Sequence, residues 1–389
     1  MTPTPKGTPL PPVVAPAPEL EPEEIDRYSR HILLPEIGVV GQRRLKNARV
    51  LVIGGGGLGS PILLYLAAAG VGTLGIADDD VVESSNLQRQ IVHGVDDIGR
   101  LKIDSARDAV TAINPRVKVH THPLRLSRET ATGLFQEYDV IVDGTDNFAT
   151  RYLVSDAATV TGKPCVWGSI LRFQAQVSVF WSIHGPTYRD LYPDAPPPES
   201  APSCGEAGVF GVLCGVAGSM MAAEAIKLIT GTGRTLLGRL ATFDLADARW
   251  REFTVAPDPV TDPGARTGTG GLCPADSCTE EDPAALIDVD ELSNALAGCS
   301  SSEVPFELLD VREADEYARG HISGARSTPL SRLRADGPGF AALPADRPII
   351  VYCKAGPRAR AAAALLLAAG HPEVRVLDGG FARWALQSY

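Results

Sequence analysis

Two stretches of this sequence carry residues whose types and spacing can do chemistry. In the first, Gly54, Gly56 and Gly59 form a G-x-G-x-x-G pattern directly after the apolar run at residues 49–53. Glycines so placed let backbone N–H groups approach a phosphate, and a helix opening behind them stabilises its charge. Asp78, roughly twenty positions on, suits a pair of ribose hydroxyls. These residues fit NAD and ATP alike. Arg89 and Lys102 favour ATP, because a triphosphate concentrates negative charge that two cations can neutralise while pyrophosphate leaves. Asp146, beside Asn147, offers a carboxylate suited to magnesium, an ion that takes oxygen ligands and bridges to phosphate. In the second stretch Cys353 follows an apolar strand-like run and precedes Lys354, Gly356 and Arg358. Loop amides, a helix N-terminus and the two cations would favour the thiolate, which marks Cys353 as a nucleophile.

Elements must hold these groups in place. Residues 49–54 read as a buried strand running into the glycines, and residues 61–69 as a helix with Ser60 as its cap and Pro61 in its first turn. A strand at 73–77 completes a βαβ unit, and a helix at 127–136 leads to a strand at 138–143. Such alternation predicts a mostly parallel sheet with substrate at the carboxyl ends of its strands. Residues 257–285 are rich in Gly, Pro, Thr and Asp without periodicity and mark a linker. A second α/β segment follows, with strands at 307–310, 348–352 and 374–377 and a helix at 358–369. At the other end, residues 1–22 contain eight prolines and no aromatic residue, which predicts a disordered tail.

From residue 23 to 256, Arg27, Tyr28, Ser29 and Arg30, the glycine turn, the run Ser85, Asn86, Leu87, Gln88 and Arg89, then Lys102 and Thr145, Asp146 and Asn147 resemble the ordered motifs of the MoeB/ThiF family, relatives of the ubiquitin-activating enzymes. The resemblance implies a Rossmann-like α/β domain of ubiquitin-activating type. It implies use of ATP and Mg2+ to adenylate the C-terminal glycine of a small ubiquitin-like sulfur-carrier protein. A carboxylate is a poor electrophile, and coupling to AMP supplies a leaving group. By position, Gly54, Gly56, Gly57, Gly59, Asn147 and the residues 85–89 contact the nucleotide. Asp78 takes the ribose, Arg89 and Lys102 the phosphates, Asp146 the magnesium, and Arg30 reaches ATP across a homodimer interface. Cys204 occupies the family's crossover-loop position. On a polar loop before a helix it would be accessible, with a lowered pKa, and suited to redox or acyl exchange.

Residues 286–389 resemble the rhodanese sulfurtransferase domain, through Asp310 and Arg312, Glu316 and Tyr317, the segment 320–325, the Cys353 loop and residues 377–381. Four residues separate Cys353 from Arg358, one fewer than in related phosphatase loops, a tighter ring of amides that suits a terminal sulfur. His321 is expected to be structural. Read together, the two resemblances imply that a Cys353 persulfide attacks the carrier's acyl-adenylate, with sulfur drawn from a cysteine desulfurase or thiosulfate. Cys204 would resolve the resulting acyl disulfide to a thiocarboxylate. The rival readings are an NAD-dependent oxidoreductase with a redox domain and a non-catalytic docking scaffold. Arg89, Lys102 and Asp146 speak against the first, and Cys353 against the second.

The sequence departs from zinc-binding family members: Thr187 and Asp190 stand where the first cysteine pair would be. Cys273 and Cys278 have four residues between them, so zinc is not expected. Cys165, Cys214 and Cys299 read as packing residues. The chain has 389 residues, 44% hydrophobic and 21% charged, enough for two globular domains. A net charge of -11 repels phosphate backbones and argues against nucleic acid as a partner. Seven scattered cysteines and a proline-interrupted start lead us to expect a reducing, cytoplasmic setting with no export signal. The uncharged, glycine-interrupted stretch 207–223 falls short of a membrane span and reads as a buried helix with its approach loop.

Overall fold

The structure, a computed structural model, describes residues 10–193, 208–257, 285–297, 305–335, 343, 347–354 and 356–387. The chain divides into two compact units, residues 1–272 and 273–389. The first is built on one sheet, whose strands in chain order are β1 (Arg49–Ile53), β2 (Thr73–Ala77), β3 (Lys118–His122), β4 (Val140–Asp143), β5 (Cys165–Leu171), β6 (Gln174–Phe180), β7 (Arg239–Asp244) and β8 (Arg249–Thr254). Its helices are α1 (Pro22–Arg27), α2 (Ser29–Ile32), α3 (Gly38–Asn47), α4 (Gly59–Ala69), α5 (Lys102–Ile113), α6 (Arg128–Gln136), α7 (Phe148–Thr161), α8 (Tyr188–Leu191) and α9 (Gly211–Thr230).

The strand order is β3-β2-β1-β4-β5-β6-β7-β8. β1 is central and its last four residues are buried, as expected of a branched aliphatic strand covered on both faces. The first five strands of that order are parallel, but β5, β6, β7 and β8 pair antiparallel. The expectation of a mostly parallel sheet therefore covers only part of it. The physical reason is the turn chemistry. Arg172 and Phe173 join β5 to β6 with Arg172 at φ 54°, and Ala248 ends the β7–β8 connection at φ 49°. Both adopt the left-handed conformation without the Gly or Asn that advertises a hairpin.

Two further expectations change. Residues 10–21 pack against the first unit. Val14, Ala17 and Leu20 are buried, Val13 N–H donates to Leu228 O at 3.0 Å and Ala17 N–H to Arg43 O at 3.0 Å. Burial at every third residue matches the three-residue turn of an extended polyproline-like chain, so prolines here build a strap. Residues 1–9 lie outside the described residues. The helix α4 begins before Ser60, whose hydroxyl donates back to Gly56 O at 2.8 Å; the glycine turn itself starts the helix.

The uncharged stretch does form a helix, α9, long and apolar enough by length and composition to cross a membrane. It is packed in the core instead, against α4, α3, β5 and β6, with Leu213, Ala217, Met221, Ala225 and Leu228 almost without exposure. Removing such a side chain from water contributes about 1.5–3 kcal/mol for a Leu or Met.

The second unit contains β9 (Ala285–Ile287), α10 (Val289–Ala297), β10 (Glu307–Asp310), α11 (Ala314–Ala318), β11 (Arg326–Ser327), α12 (Leu330–Ala335), β12 (Ile349–Tyr352), α13 (Pro357–Ala368), β13 (Val374–Leu377) and α14 (Gly380–Gln387). Its strands run parallel in the order β11-β10-β12-β13-β9. Ala359, Ala362, Ala363 and Leu366 turn the buried face of α13 into the core. Most of the expected linker lies outside the described residues.

Candidate active sites

At the carboxyl ends of β1, β2 and β4 lies a cleft of about 330 Å³, where an open α/β sheet offers a ligand its crevice. Gly54 leaves β1 at φ 90°, which a side chain would strain. A Cβ on Gly59 would stand 1.9 Å from Gly54 O, and one on Gly57 2.8 Å from Cys214 Sγ. The wall formed by Gly54, Gly56 and Gly57 is therefore bare backbone. Asp78, just past β2, accepts from Gly55 N–H at 2.7 Å and from Asp80 N–H at 2.8 Å. Burial raises its carboxyl pKa, and Lys102 works in the opposite direction.

Lys102 opens α5, is buried, and donates to Asp80 Oδ2 at 2.6 Å. Arg89 is held to Ser85 O at 3.1 Å. The other side of the Gly55 peptide is fastened too: His93 Nε2 lies 3.1 Å from Gly55 O and its Nδ1 2.8 Å from Ser105 Oγ. A carbonyl oxygen only accepts, so Nε2 carries the proton and the ring needs no charge. Burial above all pushes its pKa down, and the ring ties the glycine turn to the helix that presents Lys102.

The third wall is the loop after β4. Asp143 is wholly buried and accepts from Thr145 N–H at 3.0 Å and Thr145 Oγ1 at 2.7 Å; burial raises its pKa. Arg151 Nη2 donates to Thr145 O at 3.1 Å while its guanidinium lies 5.1 Å from the Phe148 ring centre. Asp143 and Arg151 thus clamp the loop bearing Asp146, whose exposed carboxylate lines the cleft and is the oxygen donor a magnesium ion would take there.

Of the residues expected to contact nucleotide, Gly54, Gly56, Gly57, Asp78, Arg89, Lys102, Asp146 and Asn147 line this cleft. The rest do not. Gly59 packs against Gly54. Asn86 is buried as a local cap, its Oδ1 accepting from Glu83 N–H at 3.2 Å. Ser85 supplies the carbonyl that holds Arg89. Leu87 is half-buried and Gln88 exposed, with Gln88 O against Gly211. Arg30 is exposed on α2. Asn147 lines the cleft but its side-chain oxygen caps α7, accepting from Thr150 N–H at 2.8 Å. Tyr28 is buried and accepts from Asn114 Nδ2 at 2.8 Å. Sequence reasoning missed Gln90, His93, Asp143 and Arg151. Only Asp143, closing an apolar strand, carried a visible signal.

The second site sits at the end of β12. Cys353 is 1% exposed, and its Sγ accepts from Gly356 N–H at 3.0 Å. Gly356 has φ 120°, so the loop curls around the sulfur in a way a residue with a Cβ resists. Phe381 N–H donates to Cys353 O at 2.8 Å. A Cβ on Gly380 would lie 2.5 Å from that oxygen, which explains the glycine pair before Phe381. Arg358 follows at the start of α13. Its guanidinium makes a two-pronged bond to Glu316, at 2.6 and 3.0 Å. Arg358 in turn holds the Glu316 carboxyl down to about 2. Buried Asp310 pairs with Arg312 at 2.6 Å, and Arg312 lies 4.1 Å from the centre of the Phe381 ring. His321 is exposed and stacked on Tyr317 at 3.9 Å.

Cys204, Cys273, Cys278 and Cys299 lie outside the described residues. Thr187 and Asp190 cap α8, with Thr187 N–H donating to Asp190 Oδ2 at 2.6 Å. Asp78, Asp79 and Asp80 bring carboxylate oxygens within 4.8 Å of one another, but Asp78 holds two amides and Asp80 holds Lys102.

A backbone cradle, the Asp78 carboxylate and two cations converge on one cleft, and residues 28–263 match the ThiF family. The chain belongs to the ThiF family. Residues 288–387 of this ThiF-family protein match the rhodanese-like domain. It is 51% identical to the probable adenylyltransferase/sulfurtransferase MoeZ of Mycobacterium tuberculosis, over 98% of both chains. It is 50% identical to a sulfur carrier protein adenylyltransferase of Thermus thermophilus, over 61% of this chain and 89% of the other. The fold is also that of MccB from E. coli, solved with a MccA derivative, at a TM-score of 0.56 and 22% identity over 62% of this chain and 74% of that one. The protein is an adenylyltransferase and sulfurtransferase, and ThiF adenylyltransferases use ATP.

Proposed function

We propose that this enzyme adenylates the C-terminal glycine of ubiquitin-like sulfur-carrier proteins and then converts it to a thiocarboxylate. The observation that carries the reading is the presence on one chain of the cleft with Asp78, Arg89 and Lys102 and of a cysteine sulfur cradled by a loop amide. In the first step a carboxylate oxygen of the carrier attacks the α-phosphorus of ATP and pyrophosphate leaves. Arg89 and Lys102 stabilise the charge on the departing oxygens, and Asp78 orients the ribose. Magnesium, held by Asp146, would neutralise phosphate charge. Arg30 completes the nucleotide site of the second subunit in a homodimer.

In the second step the terminal sulfur of a Cys353 persulfide attacks the activated carbonyl and AMP leaves with the bonding pair. The product is an acyl disulfide joining carrier and Cys353. The Cys204 thiolate then attacks the Cys353 sulfur, releasing the thiocarboxylate and leaving a Cys204–Cys353 disulfide for a thiol reductant of the cytoplasm. Cysteine desulfurase or thiosulfate would reload Cys353. The Gly356 amide stabilises the thiolate at each release.

ATP–pyrophosphate exchange separates the two half-reactions. We expect exchange in the wild type only when a carrier with a free C-terminal glycine is present, and undiminished exchange in Cys353→Ala with sulfur transfer abolished. Exchange lost in Cys353→Ala would sink the division of labour.

A further inference from the structure

His93 is buried behind the glycine turn and does not line the cleft. Its ring joins two elements: Nε2 donates to Gly55 O at 3.1 Å, and Nδ1 lies 2.8 Å from Ser105 Oγ on α5. Gly55 O and Gly56 N–H belong to one peptide plane. That plane is trans, so the two groups point in opposite directions. The carbonyl end is turned to the buried ring. The N–H end is turned away from it, belongs to a residue that lines the cleft, and donates to no group among the described residues. Asp78 fixes the preceding plane, through Gly55 N–H at 2.7 Å. A plane between two glycines rotates with little resistance, and half a turn would show the cleft a carbonyl oxygen in place of an N–H.

We propose that His93 is a positioning residue of the adenylation step, its Nε2–H holding the Gly55–Gly56 peptide with the N–H toward the phosphates of ATP and the carbonyl away from them. An amide N–H presented to an anion attracts it, and a carbonyl oxygen in the same place repels it. The imidazole itself touches no ligand. It fixes the sign of the dipole that the turn shows, and through Ser105 it holds the turn against the helix that carries Lys102. Nε2 keeps its hydrogen in the neutral ring and in the charged one, so the hold on Gly55 does not depend on the charge of the ring.

This role rests on the adenylation reading, and the test keeps the two apart. The full chain with His93→Gln or His93→Asn is titrated calorimetrically with ATP and magnesium chloride, and each ligand-free protein is melted. The Gln amide nitrogen reaches the place of Nε2 and keeps the bond to Gly55, whereas Asn reaches only the place of Nδ1 and keeps the bond to Ser105. Each variant cuts one of the two bonds, so both should melt below wild type, yet only one should lose ATP. His93→Asn should bind ATP about tenfold more weakly, the size of one hydrogen bond to a charged group, and His93→Gln within about twofold of wild type. Wild-type affinity in His93→Asn, or a His93→Gln protein that is folded and binds ATP tenfold more weakly than wild type, overturns the assignment alone. A wild-type chain that binds no ATP overturns the adenylation reading with it.

Discussion

The Glu316–Arg358 pair shows how a charge near a nucleophile can serve architecture. Arg358 is the second residue of α13 and reaches back to Glu316 on α11, fixing the helix behind the Cys353 loop. The Glu316 carboxyl, at about 2 in the fold against an ordinary 4.5, is depressed, so its stabilisation is fully present above about pH 4.5 and is lost as pH falls toward about 2. Denaturant melts of wild type and Glu316→Gln should therefore differ most above pH 4.5, with wild type the more stable, and converge on acidification. A gap independent of pH would contradict the pairing. At this scale the sequence was informative where chemistry imposes residue types. Gly54, Asp78, Lys102, Asp146 and Cys353 could be picked out because the phosphate, ribose, magnesium and sulfur chemistry proposed for them restricts what can stand there. Gln90 and His93 could not, because a buried amide and a tethering imidazole resemble ordinary core residues until their partners are known.

Among the elements, the glycine turn meets α9 at Gly57 and Cys214. Cys214 Sγ occupies the space a Cβ on Gly57 would need, at 2.8 Å, so the long core helix limits what the cleft-lining backbone can carry there. Gly57→Ala should destabilise the chain by about 1–3 kcal/mol through overpacking. Adding Cys214→Ala should recover part of that, with a favourable coupling of about 0.5–3 kcal/mol in a double-mutant cycle. Strictly additive effects, measured by urea denaturation, would contradict the contact. Helices and strands with apolar runs between Gly, Pro or Ser were legible, among them β1, β2, α6 and β13. The β5–β6 and β7–β8 hairpins were hidden because Arg172 and Ala248 hold positive φ without declaring it. The strap at residues 10–21 was hidden because proline was read as disorder, although Val14, Ala17 and Leu20 repeat every third residue.

On the scale of the whole molecule, each unit closes its own core: one cluster gathers around α9, β1 and α4, another around α13 and β12. Separate cores unfold as separate cooperative blocks. Calorimetry of the full chain should resolve two transitions. Leu366→Ala, at a side chain with 0% exposure in the second unit, should lower one of them by about 2–5 kcal/mol and leave the other in place. Movement of both by equal amounts would mean that the cores are not independent. The division is also chemical, since the nucleotide cleft belongs to the first unit and the cysteine loop to the second. Joining them on one chain keeps a reactive acyl-adenylate and the sulfur that displaces it in the same molecule, raising the effective concentration of one to the other.

The transfer of sulfur to the carrier is read directly by mass spectrometry. Intact mass is recorded for a ubiquitin-like carrier ending in glycine after incubation with ATP, magnesium and the full chain loaded as a persulfide, then treated with reductant. The carrier should become heavier by the difference between sulfur and oxygen, only when ATP is present, and not at all with Cys353→Ala. A carrier of unchanged mass while AMP accumulates, or the same heavier carrier made by Cys353→Ala, would contradict it.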